Sequence, residues 1–112
     1  MMSEYIQVMT SVESRQDGEK IADLLLERRL AACVQILGPM VSRYRWRGKV
    51  ESATEYLCLI KSRRDLYDRL EAAIKGAHPY EVPEIMAITV SGASREYSAW
   101  LDLELGEMND GG

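Results

Sequence analysis

The sequence predicts an α+β domain in which helices cover one face of a single antiparallel sheet. Two observations indicate this class. Basic and aromatic side chains alternate along residues 43–47, as they do on the two faces of a strand. Apolar residues instead recur at helical spacing along residues 21–28 and 66–77. With the turn and capping residues between them, these segments predict the order β-α-β-β-α-β followed by one further helix.

The first half of the chain is predicted to contain a strand, a helix and the first strand of a long hairpin. Residues 5–10 are typical of a strand, and Ser14 begins a helix as the N-cap of a capping box. Residues 31–46 predict a second, unusually long strand. Gly38-Pro39 interrupts it, and since proline cannot donate to a central ladder, we expect a bulge or bend there.

The second half is predicted to return along the hairpin and then form a helix and a fourth strand. Gly48 indicates a tight turn, and residues 50–61 form the partner strand. A second capping box at Ser62 is expected to begin the helix over residues 66–77, which the prolines after it end. Residues 84–90 predict the fourth strand.

The last helix is predicted to begin at Ser94 and to carry Tyr97, Trp100 and Leu101 on one apolar side, with Trp100 buried. The complete order is that of the ferredoxin-like arrangement, an antiparallel sheet with helices on one face. We expect one domain over residues 1–105 and a flexible polar tail over residues 106–112.

Composition and charge argue against several classes of function. The formal net charge is −4, from 18 acidic and 14 basic residues, which disfavours general nucleic-acid binding. No apolar run approaches the ~20 residues that span a bilayer, and the N-terminus lacks a secretory signal pattern. We therefore expect a cytoplasmic protein with no membrane partner. Cys33 and Cys58 lie in apolar strand segments without a CxxC pair, so we expect reduced, buried thiols.

The basic and aromatic run over residues 43–49 leaves two interpretations open. Such a pattern can bind nucleic acid through phosphate contacts and base stacking. Alternatively, its arginines pair with Glu51 and Glu55 across the hairpin or from another subunit, and the net charge favours this structural interpretation. The chain contains no HExxH, P-loop or G-x-S-x-G motif, so we expect a protein that is not an enzyme.

Four ordered segments carry a resemblance to a known family. They are RLAACVQILGPMVSRYRWRGKVE at residues 29–51, EYLCLIKSR at residues 55–63, HPYEVPEI at residues 78–85 and the Y-x-x-W-L pattern at residues 97–101. Together they resemble the CutA family. The resemblance implies a ferredoxin-like homotrimer whose long hairpins pair between subunits, a role in divalent-cation tolerance, and an architecture similar to that of PII-type signalling proteins.

The resemblance also implies a metal hypothesis. Copper binding in the family is associated with a cysteine at the end of the first strand and a His-His pair before Pro-Tyr. This chain has Met9 and Ala77 where the cysteine and the first histidine would stand, and His78 is its only histidine. Imidazole and sulfur donors suit copper, so His78, Met9 and Cys33 are the candidate ligands for copper or another divalent cation. The alternative is that His78 packs or hydrogen-bonds locally and that Cys33 serves packing.

A second set of candidate residues, attributed to a cleft between subunits, could bind a small polar ligand through aromatic walls, a lysine and a carboxylate. Its members are Tyr44, Trp46, Lys61, Tyr80 and Glu84. The alternative is that Lys61 pairs with Glu84 and that the aromatic residues pack at an interface. The leading hypothesis is thus a non-catalytic trimer that binds metal weakly in cation tolerance. The alternative function is a PII-like sensor or scaffold for a small metabolite.

Overall fold

A computed structural model describes residues 4–106 of the chain. Its single sheet has four strands in the order β2-β3-β1-β4, and each neighbouring pair is antiparallel. This is the predicted ferredoxin-like order. The elements are β1 Tyr5–Val12, α1 Arg15–Glu27, β2 Cys33–Trp46, β3 Lys49–Arg63, α2 Tyr67–Ala77 after a short 3₁₀ turn at Arg64–Leu66, β4 Met86–Thr89 and α3 Arg95–Glu104.

The core lies between the sheet and the two long helices. Alternate residues of β1 and β3, such as Val8 and Ile60, point towards the helices and are fully buried. They meet Leu25 of α1 and Leu70 and Ile74 of α2, which are also fully buried. Burying one such side chain contributes about 1.5–3 kcal/mol, so this layer supplies most of the driving force for folding.

Two of the three predicted helix caps are confirmed. The Ser14 side chain accepts a hydrogen bond from the backbone N–H of Asp17 at 3.1 Å, and Ser94 caps α3 through the N–H of Tyr97 at 3.1 Å. The predicted cap at Ser62 is wrong. Ser62 lies inside β3, where its buried hydroxyl donates to the Leu30 carbonyl at 2.7 Å. A buried hydroxyl needs a partner, and this carbonyl provides one.

The hairpin of β2 and β3 extends well beyond the rest of the sheet. Its register shifts between Leu37 and Met40, which confirms the bulge expected at Gly38-Pro39. The ladder between β1 and β3 ends at Val12, opposite Tyr56. Residues 40–55 therefore project past the end of β1. In this part of the hairpin, β2 and β3 pair only with each other.

The sheet face opposite α1 and α2 carries several exposed apolar side chains in the single chain, together with the polar residues Gln7, Gln35 and Lys61. Strand register places Met9, Leu37, Leu59, Met86 and Ile88 on this side, which we call the open face. Leu37, Met86 and Ile88 are 50%, 54% and 49% exposed. Several half-exposed apolar side chains on one sheet face are typical of an interface.

Helix α3 packs at the end of the sheet through Leu101, as predicted, and through Leu105, which was not predicted. Leu101 and Leu105 are buried, whereas Tyr97 and Trp100 remain 40% and 38% exposed. The predicted burial of Trp100 is therefore wrong within one chain. Cys58 is buried as predicted, but Cys33 is only half-buried, because it lies on the open side of the edge strand β2.

The predicted domain limit at residue 105 and the expected absence of a membrane-spanning helix can be compared with the described residues. Residues 107–112 lie outside the described residues, so the flexible tail and the domain limit stay predictions. Among residues 4–106, no helix is both long enough and apolar enough to span a bilayer.

Candidate functional site

A concave pocket of about 620 Å³ lies where the hairpin projects past β1. We call it the hairpin pocket. The hairpin forms one wall, the end of β1 forms the floor, and the loop after α2 closes another side. Its lining includes three aromatic residues, four carboxylates and five further residues: Tyr44, Trp46 and Tyr80; Glu13, Glu55, Glu81 and Glu84; and Ser11, Ser42, Arg43, Ala53 and Val82.

Strand alternation explains why the hairpin residues share the pocket. Ser42, Tyr44 and Trp46 are two residues apart, so they project from the same side of β2. Ala53 pairs with Ser42, and Glu55 pairs with Met40 just past the bulge. The bulge thus sets which side of the hairpin faces the pocket, since one extra residue reverses the alternation.

Glu55 and Tyr80 form a part-buried polar contact in the pocket. Glu55 is only 7% exposed, and its Oε2 accepts a hydrogen bond from the Tyr80 hydroxyl at 2.7 Å. Burial first, and then the hydrogen bond to Glu55 and its negative charge, raise the pKa of Tyr80 well above its ordinary value. The phenol therefore stays protonated at neutral pH and acts as the donor.

His78 serves as a structural bridge beside the pocket. It is buried and ends α2, where its backbone N–H bonds to the Ile74 carbonyl. Its Nε2 lies 2.8 Å from the Ser11 carbonyl oxygen, and its Nδ1 accepts from the backbone N–H of Tyr80 at 3.1 Å. A carbonyl can only accept, so Nε2 carries the proton. Both ring nitrogens are thus engaged, and a metal would have to displace one of these bonds.

The three candidate metal ligands do not converge within one chain. Met9 and Cys33 both belong to the open side of the sheet, but β3 runs between them and their pairing positions are offset along it. His78 is held at the end of β1 by Ser11. Within residues 4–106, no group of three His, Cys, Asp or Glu side chains is placed to hold a metal ion.

Four of the five predicted cleft residues line the hairpin pocket, and Lys61 does not. Lys61 pairs in register with Gln7 and donates to its side-chain oxygen at 2.6 Å, near the other end of β1. It borders a separate apolar pocket with Tyr97. Within one chain Lys61 therefore does not pair with Glu84, and their pairing between subunits stays a prediction. Glu84 instead lies 3.5 Å from the Ser11 hydroxyl, which donates to it.

Glu13 and Glu55 line the pocket although the sequence did not predict them there. The sequence pattern assigned Glu55 to the hairpin arginines, but Glu55 bonds to Tyr80, while Arg47 pairs with Glu81 at 3.1 Å. No local pattern could have identified these partners, because each contact joins the hairpin to the loop after α2.

Comparison with known proteins gives one consistent family. The family model described as CutA1 divalent ion tolerance protein matches residues 6–104. The "Divalent-cation tolerance protein CutA" of Thermus thermophilus is 42% identical over 94 residues, which are 84% of this chain and 91% of that protein. The chloroplastic CutA of Arabidopsis thaliana is 40% identical over 96 residues, or 86% of this chain, which spans about half (53%) of that relative's length.

Solved structures agree with this result. The Cut A1 protein from Thermus thermophilus matches with a TM-score of 0.87 at 40% identity, covering 94% of this chain and 100% of that one. The CutA1 structure from Oryza sativa matches with a TM-score of 0.90 at 36% identity, covering 93% of this chain and 95% of that one.

Proposed function

The chain belongs to the CutA1 family of divalent ion tolerance proteins, and we propose that it acts in divalent-cation tolerance as a cytoplasmic homotrimer. On this proposal it catalyses no reaction, and it holds copper or another divalent cation only weakly. The observation that carries the proposal is the open face, which needs a covering partner.

The open face supports self-association on physical grounds. Removing apolar surface from water contributes about 25 cal/mol per Å², and the side chains of Leu37, Met86 and Ile88 are about half exposed in one chain. The projecting hairpin also offers unpaired strand edges, which a neighbouring copy can cover. The family resemblance implies three copies around one axis.

The geometry of the candidate ligands supports weak metal binding. Both ring nitrogens of His78 already have partners, so a copper ion would compete with two hydrogen bonds. Met9 and Cys33 lie on the open side of the sheet, where threefold symmetry can bring three copies of one ligand together. A metal would then depend on the assembled trimer rather than on one chain.

Light scattering coupled to size exclusion tests the assembly. We expect the unchanged protein to be a trimer and Ile88→Lys to be a monomer at micromolar concentration, because a charge on the open face cannot be buried unpaired. Leu26→Lys is the matched control, since Leu26 is similarly exposed but belongs to α1. A stable monomer of the unchanged protein would overturn the proposed assembly.

Growth of a gene-deletion strain in graded Cu(II) tests the role in tolerance. The unchanged gene and Leu26→Lys should restore growth, and Ile88→Lys should not. If deletion leaves growth unchanged across Cu(II), Zn(II) and Co(II), the role in tolerance is wrong even if the trimer is right.

The hairpin pocket favours a second candidate function, a PII-like sensor or scaffold that binds a small metabolite. The pocket brings Tyr44, Trp46, Tyr80 and Glu84 together next to the open face. Its volume is in the range of pockets that hold small ligands. Isothermal titration with small metabolites, carried out on metal-free trimer, separates this function from cation binding.

A further inference from the structure

Among the residues that the structure describes, Glu55 is a mostly buried carboxylate without a cationic partner. The residue is 7% exposed, and one of its oxygens accepts from Tyr80. Within residues 4–106, no salt bridge involves Glu55, and its other oxygen, Oε1, is not enclosed by protein but open to the hairpin pocket. A buried charge is costly unless it is paired. Because Glu55 lines the hairpin pocket, the pocket is where the missing positive charge can enter.

The charges around the pocket favour a cation over an anion. Glu13 and Glu84 add two further carboxylates to that of Glu55, whereas Arg43 is the one basic residue in the lining that the structure describes. Glu81 is already paired with Arg47. The unpaired charge in the pocket is therefore negative, and its field attracts positively charged ligands.

The aromatic walls favour an organic cation over a hydrated metal ion. Tyr44, Trp46 and Tyr80 line the same space as Glu55. Aromatic ring faces attract alkylammonium groups and pack against the methylene groups attached to them. The Trp46 ring already has one cation, Arg47, at 5.2 Å from its centroid. A metal ion would instead need several converging ligands, and the described residues supply no such cluster.

We propose that the hairpin pocket binds a small alkylammonium ligand of the diamine class, with one ammonium group hydrogen-bonded to Glu55 Oε1. The aromatic side chains enclose the carbon chain, and Glu13 and Glu84 attract the second charge. This inference rests on the second candidate function, the metabolite-binding one, and names its ligand class. Tyr80 orients the Glu55 carboxylate by occupying Oε2, which leaves Oε1 directed to the ligand.

Isothermal titration of the full chain with 1,4-diaminobutane tests the proposal, with succinate as the anionic probe of matched chain length. We expect the diamine to bind and succinate not to bind. Glu55→Gln keeps an acceptor for Tyr80 but removes the charge, so it should weaken diamine binding about tenfold. Glu27→Gln is the matched control, because Glu27 is exposed at the far end of α1, and it should bind as the unchanged protein does.

A second variant keeps the proposal testable if Glu55→Gln lowers stability. Trp46→Leu changes the exposed hairpin and should weaken diamine binding about threefold through loss of the cation–π contact. Equal diamine affinity in Glu55→Gln, preferred binding of succinate, or no binding of the diamine would each overturn the proposal. So would Glu55-dependent binding of Cu(II) in place of the diamine. The oligomeric state and the growth of the deletion strain are measured separately from diamine binding. The ligand proposal can therefore fail while the proposed trimer and its role in cation tolerance stand, and the reverse.

Discussion

Replacing His78 distinguishes a structural residue from a metal ligand. Alanine at this position removes the donor to the Ser11 carbonyl and the acceptor for the Tyr80 N–H. The β1–β4 ladder ends at Met9, opposite Met86, so His78 bonds to β1 just beyond the last rung. We therefore expect His78→Ala to loosen both the end of β1 and the loop that carries Tyr80.

The size of the effect follows from these contacts. Each net hydrogen bond contributes about 1 kcal/mol, and leaving a buried polar group without a partner costs about 1–3 kcal/mol. The ring is itself buried, so its removal also leaves a small cavity. We expect His78→Ala to lower the free energy of unfolding by about 2–4 kcal/mol, and His78→Gln, whose amide can donate and accept, to lose less.

Urea denaturation of metal-free protein, at one fixed protein concentration, measures this change. Titration of the same variants with Cu(II), and with Cu(I) under reducing conditions, measures the metal affinity. If His78→Ala keeps the stability of the unchanged protein and loses most of its copper affinity, the ring is a free ligand. That result would refute the structural role assigned to it here.

Three further predictions concern other buried groups. Arg63 is 3% exposed and binds Asp65 and Asp102, so Arg63→Met should lower the free energy of unfolding by about 2–3 kcal/mol. The loss is smaller than for a fully buried ion pair because Asp102 is partly exposed. An unchanged urea midpoint would contradict this prediction. Burial raises the pKa of Cys58, so in a Cys33→Ser variant the native protein should resist thiol labelling until it unfolds, and rapid labelling would show that Cys58 is accessible. The raised pKa of Tyr80 means that its contribution to stability is present below about pH 10 and is lost as pH rises above that value. Alkaline absorbance titration should show Tyr80→Phe lacking the last phenol to ionise, and loss of an earlier step would contradict the assignment.

Local sequence was sufficient for the order of elements and for several of their ends. Ser14 and Ser94 cap their helices as predicted, because an N-cap bond spans only three residues. The bulge at Gly38-Pro39 was also predictable from local sequence, because proline lacks the backbone N–H that a strand ladder needs. The prediction that Ser62 caps a helix was wrong because its hydrogen-bond partner, the Leu30 carbonyl, is 32 residues away in the chain.

The family and the fold were thus determined by the sequence itself, through short motifs and their order. The tertiary structure alone decided the character of the candidate site. Glu55 meets Tyr80 across 25 residues, and His78 meets Ser11 across 67 residues. Lys61 was excluded from the pocket by the register that pairs it with Gln7. Burial and hydrogen-bond partners depend on how distant segments pack together, and side-chain chemistry depends on that environment rather than on residue type alone.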